Sequence, residues 1–138
     1  MPSRGRPHHI DLTVLDPARS RAFYDAVLGF MGYRLVKEDE RGFDWNLEEP
    51  SGSFCSIGLV RATGDNRERL HDRRSSGLHH LAFHAESRAD VDALHALLVR
   101  IGATVLDAPA EYPQYGAGYY AVFFADPDGI KLEFVHAP

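Results

Sequence analysis

The chain has 138 residues, 44% hydrophobic and 25% charged, enough for a single globular domain with its own core and too few for a second enzyme domain. A net charge of −5 gives no general attraction for nucleic acid or an anionic membrane surface, and no apolar run is long enough to span a bilayer. A single cysteine, Cys55, excludes an internal disulfide and, with no signal peptide at the start, leads to the expectation of a cytoplasmic protein. Cys55 has no basic neighbour in its strand-like run, so it reads as a packing residue rather than a nucleophile.

In chain order, the first seven residues carry Arg4 and Arg6 among Pro, Ser and Gly and read as a loose arm. Residues 9–14 alternate as a strand, with Ile10, Leu12 and Val14 on an apolar face and His9, Asp11 and Thr13 on the other. Asp16 followed by Pro17 is an N-cap and first-turn signal for a helix that runs to Leu28, stops at Gly29 and buries Phe23 and Val27. Strands over 33–37, 43–47 and 53–60 complete a β-α-β-β-β module. Residues 61–77 are polar, rich in arginine and acids, and lack an apolar period, so they read as a linker.

The order then begins again. Residues 78–85 form a strand, and Ser87 caps a helix in which Val91, Leu94, Leu98 and Ile101 recur at three and four before Gly102. Strands over 104–106, 119–124 and 130–135 follow. Between the first two, residues 108–119 read as a loop whose Tyr115 and Tyr119 are candidates to hold a flat or apolar substrate, or equally to pack against another subunit. Asp126-Pro127-Asp128-Gly129 is a turn that restarts the chain as a strand, with Ile130, Leu132 and Phe134 on the core face and Glu133 on the opposite one. His9-Ile-Asp-Leu corresponds to His80-Leu-Ala-Phe, 71 residues on. A repeat used only twice implies an α+β fold of two tandem β-α-β-β-β modules, about 8–60 and 78–136, whose sheets close around a shared cleft within a single domain spanning 1–138.

Alternation assigns His8 and His79 to the helix side of their strands, and His9 and His80 to the opposite, interior face. With Glu133, that interior holds two imidazoles and a carboxylate. A buried carboxylate without a partner is costly. The three read either as a polar core or as one divalent-metal site of the facial two-histidine, one-carboxylate kind that suits Fe, Mn, Zn or Ni and leaves coordination positions for substrate. His84 shares the parity of His80 and is a candidate acid or base, with a surface position as the alternative; Asp11 and Thr13 are candidate supporting groups or plain polar lining.

The repeated module, the HIDLTV and HLAFHA openings and the closing DPDGIKLEF resemble the vicinal oxygen chelate superfamily, which includes glyoxalase I, extradiol dioxygenases, fosfomycin-inactivating transferases and bleomycin-binding proteins. The resemblance covers residues 8–136 and implies metal ligation by His9, His80 and Glu133, a small-molecule substrate and a homodimer. The superfamily's fourth ligand position falls at Gly58 or Ser56, neither a carboxylate, so the resemblance implies a dioxygenase or a lyase or transferase rather than glyoxalase I. The tyrosine of the dioxygenase pattern is replaced by Phe123. A non-catalytic protein that sequesters a drug or metabolite, of the bleomycin-resistance type, is the alternative, and the retained ligand triad argues for the enzyme.

Overall fold

The computed structural model describes residues 4–138. The chain divides into two compact units, the first ending at Arg69 and the second spanning Leu70–Pro138. Of the N-terminal arm, residues 1–3 lie outside the described residues; Arg6 is tied down by an ion pair with Glu49 at 2.5 Å.

In the first unit, β1 (His9–Val14) leads to α1 (Pro17–Phe30), then to β2 (Arg34–Asp39), β3 (Gly42–Glu48) and β4 (Phe54–Arg61). The sheet order is β1-β4-β3-β2, with β1 and β4 parallel and the other neighbours antiparallel. Asp16 caps α1 as its spacing predicts, accepting from the Ala18 N–H at 3.1 Å. Phe23 and Val27 are buried, and the Trp45 indole N–H donates across to Asp25 of the helix at 2.9 Å. The other sheet face carries His9, Asp11 and Thr13, all exposed.

The second unit repeats the plan with β5 (Leu81–His84), α2 (Arg88–Arg100), β6 (Thr104–Glu111), a 3₁₀ turn at Pro113–Tyr115, β7 (Tyr120–Ala125) and β8 (Lys131–His136). Its sheet order is β5-β8-β7-β6. Val91, Leu94 and Leu98 of α2 are fully buried, as are Phe124 and Leu132 of the sheet. Ile101 does not complete the helix stripe. It is the C-cap and stays 40% exposed, because the chain leaves the helical path there.

The strand expected at 104–106 extends to Glu111, so most of the anticipated loop over 108–119 is strand followed by the 3₁₀ turn. Register shifts between Val105 and Asp107 and between Asp107 and Ala110 take Pro109 out of the ladder, which an edge strand allows. The Asp126–Gly129 turn forms as its sequence dictates. The Asp126 carboxylate accepts from the N–H groups of Asp128 and Ile130 at 2.9 and 2.8 Å, and Gly129 takes a φ of +85°. This fixed start sets the phase of β8 and turns Glu133 away from the helix.

Candidate functional site

The register aligns the two modules residue by residue. In the first, Gly58 of β4 is flanked by Asp11 of β1 and Asp44 of β3; in the second, Glu133 of β8 is flanked by Ala82 of β5 and Phe123 of β7. His9 precedes Asp11 by two residues, as His80 precedes Ala82. Gly58, rather than Ser56, is therefore the counterpart of Glu133.

Glu133 is 2% exposed although it lies on the face away from α2. Its Oε1 is 3.0 Å from His80 Nε2, and its Oε2 accepts from the Tyr119 hydroxyl. His80 Nδ1 in turn is 2.8 Å from His79 Nδ1. With Glu133 ionised, His80 donates from Nε2. A neutral His80 then accepts at Nδ1 from a His79 protonated on Nδ1, which leaves His79 Nε2 as a free acceptor. Burial, then the hydrogen bond to Glu133, raises the Tyr119 pKa and keeps the phenol protonated as a donor. Desolvation, then repulsion from His80 and Lys131, lowers the His79 pKa and favours its neutral form.

A cavity of about 400 Å³ opens onto this chain of groups. Tyr112 packs edge-on against Phe123 at 5.4 Å between ring centroids, and Tyr115 stacks on Tyr112 at 5.8 Å. Lys131 and Asp107 complete the wall.

Of the expected site residues, His80, Glu133, Tyr115 and Tyr119 line this cavity. Tyr119 is the half-buried one, while Tyr115 is 63% exposed. His84 shares the Glu133 face, paired with Val135, but lies exposed at the end of β5 and does not line the cavity. His79 departs from the helix-side orientation assigned by alternation. It stands before β5 begins at Leu81, where strand geometry does not dictate its direction, and its ring meets His80 at the cavity wall.

His9 belongs to the first unit, with Nδ1 3.0 Å from His8 Nδ1 and Nε2 3.9 Å from an Asp11 carboxylate oxygen. His8 also lines the cavity beside it, of about 510 Å³, so the alternation argument fails for His8 as it does for His79. Asp11, Asp44, Asn46 and Ser56 share that wall with Lys37 and Arg41. A Cβ added at Gly58 would meet Asp44 Oδ1 at 2.6 Å and Asp11 Oδ1 closer still, so two carboxylates from neighbouring strands occupy the space where a side chain at 58 would begin. Thr13, paired with Val60, is exposed and outside the lining.

Metal donors in cis positions about 2.1 Å from an ion stand about 3 Å apart, which is the spacing of His80 Nε2 and Glu133 Oε1. That pair fits a divalent ion as two of its ligands. Among the described residues neither unit alone gathers three His, Cys, Asp or Glu side chains into a metal-holding group.

Sequence reasoning missed His79, Lys131, Asp107 and Asp44. The Lys131 ammonium rests over the Phe123 ring, 4.6 Å from the centroid.

Residues 6–134 match the profile of the Glyoxalase/Bleomycin resistance protein/Dioxygenase superfamily. The chain is 38% identical to an uncharacterized protein, YqjT, of Bacillus subtilis (strain 168), over 93% of this chain and 96% of the relative. It is 32% identical to a 2-epi-5-epi-valiolone epimerase of an Actinomyces species, covering 100% of this chain and 85% of the relative. Among solved structures, one assigned to the glyoxalases from Bacillus halodurans is 33% identical, covers 98% of this chain and 97% of its own, and superposes with a TM-score of 0.81.

Proposed function

Since the chain belongs to the Glyoxalase/Bleomycin resistance protein/Dioxygenase superfamily, we propose that it is a divalent-metal-dependent enzyme acting on a small substrate that presents adjacent oxygens. His80 and Glu133 serve as ligands from the second unit and His9 as the third. The observation that carries this reading is Glu133 itself. A carboxylate at 2% exposure, one oxygen at ligand spacing from an imidazole and the other held by a phenol, is costly to keep in a merely structural sheet.

The full-length likeness to a protein named as an epimerase favours proton transfer at a carbon beside a carbonyl over the oxygen-dependent and addition reactions suggested by the three-ligand pattern. When bound, the metal would act as a Lewis acid on the substrate oxygens. The chain supplies the rest. Tyr119 keeps its proton on the phenol oxygen and orients Glu133; with His80 Nε2 turned to the ion, its Nδ1–H would donate to His79 Nδ1, so that His79 presents an Nε2–H donor at the cavity wall. His84, exposed and outside the cavity, is not assigned a part. The same proposal makes the two modules one domain and the protein a cytoplasmic homodimer, on the ground of its lone Cys55 and the frequency of dimers in the superfamily. Light scattering that gives only monomer at micromolar concentrations removes the dimer.

Calorimetric titration of the metal-stripped protein with Mn, Fe, Ni and Zn tests the site. The expected result is one ion per chain, with affinity falling by about 100-fold in Glu133→Gln and in His9→Ala. Proton exchange into a panel of hydroxy-ketones in deuterated water then reads the chemistry, without oxygen. No metal binding by the wild type, or exchange unaltered in Glu133→Gln, sinks the proposal.

A further inference from the structure

Lys131 is the feature of the second unit's cavity that the proposed chemistry leaves unused. It lies on the Glu133 face of β8, paired with Ala125, and its ammonium rests over the Phe123 ring at 4.6 Å. Among the described residues it makes no ion pair, and both oxygens of the nearest buried carboxylate on its strand are taken by His80 and Tyr119. Asp107, the other acid of the wall, is exposed on the bulged edge strand β6. An ammonium over an aromatic face inside a cleft is partly stripped of water, and with a ring face rather than a carboxylate as its immediate neighbour it is the group best able to take an incoming anionic oxygen.

The rest of the wall specifies shape. Phe123, Tyr112 and Tyr115 are linked by one edge-on and one stacked contact, and Tyr119 closes on Tyr115 at 5.4 Å. Rings arranged in this way take another flat ring by stacking or edge contact. The volume, about 400 Å³, is at the lower end of the roughly 300–1,000 Å³ range of small-molecule sites.

We propose that this cavity recognises a small, flat, ring-bearing carboxylate, with Lys131 selecting the anionic group and the tyrosine wall selecting the ring. This rests on the reading of the cavity as the substrate pocket and names the class of substrate it takes. The probes are benzoate, benzyl alcohol, which keeps the ring without the charge, and cyclohexanecarboxylate, which keeps the charge without the flat ring. Each is titrated by NMR into the wild type, Lys131→Met and Lys131→Arg with EDTA present, so that failure of the metal reading leaves the outcome untouched. Benzoate binds at least fivefold tighter than benzyl alcohol in the wild type and in Lys131→Arg, and that preference disappears in Lys131→Met. Cyclohexanecarboxylate binds at least threefold weaker than benzoate in the wild type. A preference for benzoate that survives Lys131→Met overturns the role of Lys131, and equal binding of the two carboxylates overturns the role of the aromatic wall.

Discussion

The two modules share a topology, a register and a histidine pair, yet they differ at the one position where the register makes them most comparable. The second places Glu133, almost fully buried, between Ala82 and Phe123; the first places Gly58 between Asp11 and Asp44. The carboxylate has moved from the central strand to its two neighbours. The face around it has changed as well. Tyrosines and a phenylalanine surround Glu133, whereas Lys37, Arg41, Asn46 and Ser56 share the cavity wall of the first unit. The backbone ladder is indifferent to this exchange, because side chains on one face of a strand can be replaced without touching the hydrogen bonds between strands. The repeat keeps the frame and gives each half its own side chains on the sheet face.

Making the halves alike is the sharpest way to test that contrast. Gly58→Glu places a Cβ against Asp11 Oδ1 and Asp44 Oδ1 and adds a third carboxylate to the same spot. The expected cost is about 2 kcal/mol of overpacking and like-charge repulsion, measured by urea denaturation. Adding Asp11→Ala removes the closer of the two carboxylates, and the Asp11 side chain is half exposed and holds up no core, so the double variant regains part of the loss while Asp44 stays in place. If Gly58→Glu costs nothing, the two aspartates do not fill the position and the residue-by-residue comparison fails there.

The next test removes a feature that only the second half has. Tyr119→Phe deletes the donor to Glu133 Oε2 and leaves a buried carboxylate oxygen without its partner. A loss of about 1–2 kcal/mol is expected in the metal-free protein, read from the same denaturation curves. With a divalent ion present the loss shrinks if Glu133 is a ligand, since the ion supplies the missing counter-charge. An unchanged difference between the metal-free and metal-loaded proteins would show that ion and phenol do not share this carboxylate.

The sequence displays much of this and conceals a definable remainder. Both helices and all eight strands follow from alternation, from the capping residues Asp16 and Ser87 and from the Asp126–Gly129 turn, because these signals act locally. Glu133 was legible for the same reason, and His80 through its correspondence with His9 in the repeat. His79 was misassigned because the period-two rule was carried past the start of β5, where no ladder enforces it. The length of β6 was hidden because its bulges break alternation around Pro109. The grip of Tyr119 on Glu133 depends on a turn closed by a hydrogen bond from the Tyr112 N–H to the Tyr119 carbonyl at 2.9 Å, a contact that no periodicity announces. Likewise the crowding of Asp11 and Asp44 over Gly58 appears only once three strands are aligned.

The smallest effect separates the modules at their helix starts. In α2 the Ser87 hydroxyl accepts from the Asp90 N–H at 3.1 Å, and Asp90 accepts in return from the Glu86 N–H at 3.1 Å. This reciprocal cap also puts an acid in the first turn, where the helix dipole favours it. In α1 the first turn has no acid; Asp16 caps alone, and its carboxylate also lies 3.6 Å from the Arg61 guanidinium. Ser87→Ala and Asp16→Ala should each cost about 1 kcal/mol as lost caps, but by different physics. Ser87 is neutral, so its loss should be insensitive to ionic strength. The Asp16 loss includes an exposed ion pair and a charge at a helix terminus, which together contribute a few tenths of a kcal/mol that salt screens. Urea denaturation of both variants at about 0.05 M and 1 M sodium chloride should therefore shrink the Asp16→Ala difference and leave that of Ser87→Ala in place. Equal salt dependence in the two would mean that the Asp16 carboxylate acts only as a hydrogen-bond acceptor and that the caps, unlike the sheet faces, are equivalent.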